Sequence, residues 1–342
     1  MIAVRRQRGV ALIMALLCLA VVSVLLTNLT TRGRQDIARL DLLQAETQAR
    51  FVMRGAEILV QRALTEPEVR QTGLWWQTLR GRPFTWDLEQ GSLTLWVEDL
   101  RTCFNLNALG GPQAELTARQ LEHWIKQGHG DFLQALSPEG FSNALQDWID
   151  ADGSARSGSM DGMDFATLDP PRISADVVLA DLSEVNWITP LDSQRFRRLP
   201  NELCVLPETT PWRLNLNTLP ASRLDLLSAL FEGEAPPQQL QRLILERPAS
   251  GYRSAEQVRQ TLGENADWFE SMGRRLTLTP DLLRIHQIIE IGRHRFRSTR
   301  LVQAEGVSGW HPMGPANRVH LLSRSAGDPD VTMPEREEEN LP

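Results

Sequence analysis

From Val10 to Leu29 the chain carries no charged residue, and Arg5, Arg6 and Arg8 stand just before that run. About 20 apolar residues at 1.5 Å rise cross a hydrocarbon core of roughly 30 Å, and flanking arginines stay on the cytoplasmic side. The pattern predicts a membrane span at residues 10–29, with the rest of the chain outside the cytoplasm. Three readings compete for it. A cleaved secretory signal peptide needs a small-x-small site after the run, where the sequence instead has Thr30-Thr31-Arg32-Gly33-Arg34. A plain signal anchor is the second. The third rests on a short basic leader that ends in Gly9, ahead of the apolar run rather than behind it.

Beyond the span, Ile37, Leu40, Leu43, Val52, Ala56, Leu59 and Ala63 recur at intervals of three, four or their multiples, with Arg34, Asp41, Gln48 and Arg62 between them. Such spacing predicts one apolar face of a helix. A helix continuous from Val10 to Leu64 is roughly 80 Å long, and Pro67 and Gly73 end it. The alternative is an anchor helix followed by a separate amphipathic one.

Farther on the period changes to two. Gly91 to Leu100 alternates apolar and polar residues, and so do Leu283 to Ile291 and His294 to Val302, joined at Gly292-Arg293. These predict one strand and a β-hairpin, to which Val319 to Leu322 adds a closing strand. Between the first strand and the hairpin lie about 180 residues of helical pattern, too many for a loop in a compact sheet domain. Candidate helices are Thr117 to Gly128, Pro138 to Ile149, Ser222 to Phe231, Pro237 to Glu246, Ser254 to Leu262 and Ala266 to Gly273, with Thr117, Ser222 and Ser254 as N-caps and Gln257 completing a capping box. The fold class is α+β: a long N-terminal helix on a small antiparallel sheet, with a large inserted all-α domain.

Two segments inside the insert look alike, Phe104-Asn105-Leu106-Asn107-Ala108-Leu109 and Leu214-Asn215-Leu216-Asn217-Thr218-Leu219. They are read either as an internal repeat or as convergent turn chemistry, since Asn satisfies backbone groups at turns and caps.

Composition narrows the classes of function. An apolar fraction of 42% suits a chain with packed cores, and a formal charge of -7 argues against general affinity for nucleic acid or anionic surfaces. There is no GxSxG, HExxH, P-loop or dinucleotide fingerprint, and the six His are scattered, so the sequence gives no support to an enzyme. One segment points elsewhere: Leu243 to Glu256, with Arg247-Pro248-Ala249-Ser250-Gly251-Tyr252 at its centre, resembles the helix-hairpin-helix that grips DNA phosphates. The competing reading is a hairpin that only packs two helices, favoured by Glu246, Glu256 and Glu264 around its arginines.

Cys18 falls in the membrane run, whereas Cys103 and Cys204 lie in the exported part. A disulfide suits an oxidising compartment and, closing about 100 residues, stabilises by up to roughly 4 to 5 kcal/mol in the chain-entropy model. Two buried thiols are the alternative. The densest polar stretch is Asp147-Trp148-Ile149-Asp150-Ala151-Asp152-Gly153, followed by Asp161 and Asp164. If the carboxylates converge, their repulsion calls for a cation, and all-oxygen ligands outside the cytoplasm point to Ca²⁺. The spacing is not that of an EF-hand, and a solvated turn is the bland reading.

The leader Arg8-Gly9-Val10-Ala11-Leu12-Ile13 resembles the class III signal of type IV pilins and pseudopilins. That resemblance implies cleavage between Gly9 and Val10 by prepilin peptidase, methylation of the new N-terminus, and retention of the apolar segment in the inner membrane. Most pilins carry Glu at the fifth mature position, where this chain has Met14. A subunit without that carboxylate cannot pair with the terminal amine of a neighbour, which suits one with nothing above it.

Further stretches are similar to the K-class pseudopilins of type II secretion: Asp99 to Asn107, Asp147 to Asp152, Cys204-Val205-Leu206-Pro207, Asn215 to Leu219, Pro170-Pro171 and Leu182-Ser183-Glu184. The resemblance runs from residue 1 to about 325. It implies a pilin-like sheet interrupted by a helical domain, Ca²⁺ beside the Asp-rich loop, and a subunit at the pseudopilus tip that initiates or caps assembly for protein export. Its implied partners are minor pseudopilins I and J, then H and the major pseudopilin G, with secreted substrates beyond. The expected organisation is a leader (1–9), membrane helix (10–29), periplasmic helix (30–66), first β part (67–104), inserted helical domain (105–275), second β part (276–325) and disordered acidic tail (326–342).

Overall fold

In the computed structural model the described residues are 8–66, 73–133, 136–152, 154–157, 159, 166–167, 171, 173–188, 199–263, 266–305 and 318–326. Along the chain come α1 (Arg8–Thr65), α2 (Gly73–Leu79), β1 (Phe84–Leu88), β2 (Gly91–Asp99), β3 (Phe104–Asn105), α3 (Ala114–Trp124), α4 (Pro138–Ile149), α5 (Val185–Ile188), β4 (Leu203–Cys204) and β5 (Leu214–Asn215). Then follow α6 (Leu224–Leu230), α7 (Pro237–Leu245), α8 (Ala255–Leu262), α9 (Asp267–Met272), β6 (Leu276–Thr277), β7 (Leu282–Ile291), β8 (His294–Glu305) and β9 (Arg318–Ala326).

One unbroken helix of 58 residues replaces the two-helix alternative, about 90 Å of rise. Its apolar part is long enough to cross a membrane, and the few hydroxyls in it are already satisfied. Ser23 donates to Leu19 O, Thr27 to Ser23 O and Thr31 to Thr27 O, each at 2.8 Å. Internal satisfaction of this kind is what a hydrocarbon surround demands.

The face that α1 turns to the sheet differs from the expected one. Ala56 and Ala63 are buried as expected, but Ile37, Leu40, Leu43 and Leu59 are exposed, and the seat is made by Ala45, Ala49, Met53, Ala56, Val60, Ala63 and Leu64. The physical reason is close approach: alanines let the helix axis settle onto the strands, and larger residues on that side would hold it off. A buried ion pair between Glu57 and Arg300 of β8 fixes the helix against the sheet.

Five strands form an antiparallel sheet in the order β1-β2-β7-β8-β9. The β7–β8 hairpin turns at Gly292, where φ is +56°, and β1 is an edge strand that periodicity missed. Gly91 opens β2 because a Cβ there would stand 1.7 Å from Glu290 O. Val97, Leu283, Ile285, Ile289, Val302 and Ala304 pack beneath α1 and α2.

The helical insert is built from two similar units that share one core, running from Phe104 to Leu278. In the first, β3 pairs in parallel with β4; in the second, β5 pairs in parallel with β6. Pro138–Ile149 forms as expected, capped by Ser137 rather than by a residue of the segment itself. Two expected caps fail. The first insert helix starts at Ala114, so Thr117 is buried within it and bonds back to Gln113 O. Ser222 sits in a short 3-10 turn that precedes α6. Ser254 does cap α8, accepting from Gln257 N at 3.2 Å, while Gln257 Oε1 accepts from Arg253 N.

Candidate functional site

The Asn pairs explain how each unit is tied. Asn105 Oδ1 accepts from Asn107 N, and Asn215 Oδ1 from Asn217 N. Asn107 then donates to Leu179 O and Leu206 O and accepts from Leu179 N. Asn217 repeats the arrangement, donating to Tyr252 O and Leu278 O and accepting from Tyr252 N. The likeness therefore extends from six-residue motifs to strand pairing and to three-bond clamps at equivalent positions.

That clamp also decides what the hairpin does. Gly251, at φ +72°, lies against the Asn217 side chain, so the turn faces the interior. Arg247 donates to Leu216 O and Leu219 O at 2.8 and 2.7 Å. The hairpin packs two helices, and its first arginine is engaged by the protein's own carbonyls.

Sheet and insert meet at a buried polar joint. Asp99, at the end of β2, accepts from Arg101 N, Asn215 Nδ2 and Thr218 Oγ1. Burial pushes its carboxyl up to about 6 against those bonds, with Asp281 adding repulsion. Arg101 is buried too, bound through two nitrogens to Asp281 and also to Glu208. Burial opposes its charge, but Asp281 and Glu208 outweigh that and raise its pKa. Cys103 and Cys204 form a disulfide beside this joint, Cα–Cα 5.9 Å. Sequence patterning did not single out Asp99, Arg101, Glu208 or Asp281, because charged residues at strand ends read as solvated.

The acidic loop is partly described. Asp147 and Asp150 converge from the end of α4 on one cation, the Arg156 guanidinium, which lies 2.6 Å from Asp150 Oδ2 and also binds Asp147. Arg156 N donates to Asp147 Oδ2 at 2.8 Å. Asp152 instead caps its own turn, accepting from Ser154 N. Asp161 and Asp164 lie outside the described residues. Among the described residues no group of three or more His, Cys, Asp or Glu is placed to hold a metal. Asp147 and Asp150 aim hard oxygen donors at one point, and that point is occupied by the Arg156 guanidinium. The Arg156 role was legible only in three dimensions.

A second candidate surface lies on α1. Ile37, Leu40, Phe51 and Ile58 are 69, 65, 74 and 53% exposed. Their spacings of 3, 11 and 7 set them along one flank of the helix, a stripe suited to another helix. On the edge strand, Phe84 and Trp86 are exposed and oppose Leu95 and Leu93, so they project to the same face of the sheet as α1.

A single long apolar helix seated on a five-stranded antiparallel sheet, interrupted by a helical insert, defines a pilin-type subunit. Family models described as "Type II secretion system (T2SS), protein K" match residues 102–208 and 214–274, which are nearly the two units described above. The type II secretion system protein K of Pectobacterium carotovorum subsp. carotovorum is 30% identical over 268 residues, covering 75% of this chain and 80% of that protein. Its counterpart from Klebsiella pneumoniae is 31% identical over 264 residues, 73% of this chain and 78% of that protein. The fold matches a chain in the crystal structure of the GspK-GspI-GspJ complex of enterotoxigenic Escherichia coli, with TM-score 0.64, 23% identity, and coverage of 85% of this chain and 99% of that one. The chain belongs to the type II secretion system protein K family.

Proposed function

We propose that the chain is a non-enzymatic minor pseudopilin that joins minor pseudopilins I and J at the tip of the pseudopilus and there initiates or caps assembly. The observation that carries this reading is the exposed stripe Ile37, Leu40, Phe51 and Ile58 on a helix whose opposite side is committed to the sheet. Such a stripe offers roughly the apolar seam that one further helix needs. The solved relative is a complex of GspK with GspI and GspJ, and subunits H and G follow below in this scheme. Met14 in place of Glu removes the carboxylate that would accept a subunit above. The bulky insert, held rigidly by the Asp99 joint and the disulfide, closes that end sterically. Contact with secreted substrates falls to the same exposed end.

In the same reading the N-terminal arginines keep residues 1–9 cytoplasmic, α1 anchors the chain in the inner membrane, and prepilin peptidase cleaves between Gly9 and Val10. Calcium takes Asp147 and Asp150 as ligands, with Asp152, Asp161 and Asp164, the next carboxylates along the sequence, as further donors. Mass spectrometry of the mature chain tests the route: the expected N-terminus is methylated Val10, and any other terminus contradicts it.

A further inference from the structure

The two flanks of α1 above the membrane differ in kind. Toward β8 the helix carries Glu46, Arg50, Arg54 and Glu57, and Glu57 pairs with Arg300 of that strand. On the other side Gln44, Gln48, Phe51, Gly55 and Leu59 follow at intervals of four, three, four and four, which sets them along one flank. None of these five is charged. A cleft of about 330 Å³ opens at the foot of this flank, walled by Gln44 and Gln48 of the helix and by Gln90 at the β1–β2 turn.

The floor beyond the cleft is the outer edge of the sheet. Ala45, Ala49 and Met53 of α1 pack on Ile289 and Ile291 of β7, and β1 stands two places from β7. At the usual strand spacing that is about 10 Å to the side. Packed helices keep their axes about 8–10 Å apart, so a second helix laid against this flank comes to rest over β2 and β1. There Phe84 and Trp86 are exposed, turn to the α1 face through their pairing with Leu95 and Leu93, and meet edge to face at 6.2 Å.

Gly55 sits in the middle of the flank. Glycine inside a helix is less favourable than alanine, and nothing stands within 4 Å of its Cβ position, so no contact within this chain calls for it. Phe51 and Leu59, one turn to either side, are 74 and 50% exposed. The three together form a notch between two apolar ridges, the shape that receives a knob from a facing helix.

The length of the surface selects its occupant. Exposed apolar residues run from Ile37 to Leu59, about 33 Å at 1.5 Å per residue, and Ile37 stands only about 12 Å beyond Leu29, where the uncharged run ends. A strand or a compact loop does not follow α1 over that distance. A subunit anchored in the same membrane by its own helix delivers that helix parallel to α1 and at the same height.

We propose that the N-terminal helix of one minor pseudopilin lies in the trough between α1 and strand β1, with Gly55 at the closest approach and Phe84 and Trp86 as the second wall. This placement rests on the reading of the chain as a partner of minor pseudopilins I and J. It adds the sheet edge to the helix stripe, so the partner is gripped from two sides, and it leaves the charged β8 flank outside the contact.

The test uses the full chain in detergent with both partners, and a benzophenone photocrosslinker in place of Trp86. The expected product joins position 86 to the N-terminal helix of one partner, located by mass spectrometry of the digest. A product at another region of a partner, a product with a second copy of this chain, or no product from a complex that forms overturns the proposal. In binding titrations Trp86→Asp and Gly55→Leu should each weaken the complex by about tenfold or more. The Gly55→Leu chain alone should melt no lower than the parent, because leucine favours the helix and meets open space. Parent-like binding by either variant also overturns the placement, while leaving the partnership itself intact. If the parent chain stays alone with both partners present, the reading of it as their partner fails together with the placement.

Discussion

Thr218 donates its hydroxyl hydrogen to Asp99 Oδ2 at 2.7 Å, joining the helical insert to the end of strand β2 across 119 positions of sequence. Together with the Asn215 bond at 2.6 Å, it ties the insert to the sheet through one buried carboxyl.

Asp99 has its pKa raised to about 6 by burial. A group whose folded pKa exceeds its unfolded value contributes stability that is fully present below the unfolded pKa, about 3.9, and is lost as pH rises through the folded one. The Asp99 contribution therefore declines between about pH 4 and pH 6. Asp99→Asn keeps an oxygen acceptor and removes the titration. Urea unfolding at pH 4 and pH 7 should show a smaller fall in stability for the variant than for the parent chain, and equal falls would refute the assignment. Thr218→Val at neutral pH should cost about 1 to 2 kcal/mol.

Asn107 and Asn217 each tie three backbone groups in the interior. Alanine at either position strands those groups without partners, and each buried orphan costs about 1 to 3 kcal/mol. Both variants should be severely destabilised in thermal melts and to a similar degree. A melt unchanged from wild type at one position would show that the two units are not held alike.

The proposed calcium would have to displace Arg156 from Asp147 and Asp150. Calcium should raise the melting temperature of the parent chain, and the effect should vanish in Asp147→Asn, Asp150→Asn. At a calcium concentration 100 times the dissociation constant the gain is about 2.7 kcal/mol. Arg156→Ala leaves the two carboxylates facing each other, so that variant should be less stable in chelator and respond more strongly to calcium. Insensitivity of all three proteins to calcium removes the metal from the account.

Much of this architecture was legible in the sequence. An uncharged run, a helical period without proline before Pro67, and two alternating segments around Gly292 define the helix and hairpin, because each depends on local pattern. The seat of α1 was not legible, since Ala45 and Ala49 attract less attention than Ile37 and Leu40 although close approach needs the small residues. Thr117 looked like a cap because it precedes apolar spacing, yet the helix gains another turn from Ala114 once its face packs in the core. The polar joint and the Arg156 contact join residues far apart in sequence or turned by a loop, and no period encodes them. The paired Asn motifs were legible as a likeness, but only the clamps show that the likeness extends to the way each unit is closed.

The central claim is that this chain assembles through the exposed flank of α1 with minor pseudopilins I and J. Light scattering on the full chain in detergent, mixed with both partners, measures it directly. The account predicts a ternary complex that Phe51→Asp with Ile58→Asp disrupts while the melting temperature stays unchanged. A chain that remains alone with both partners present, or a complex indifferent to those substitutions, would contradict it.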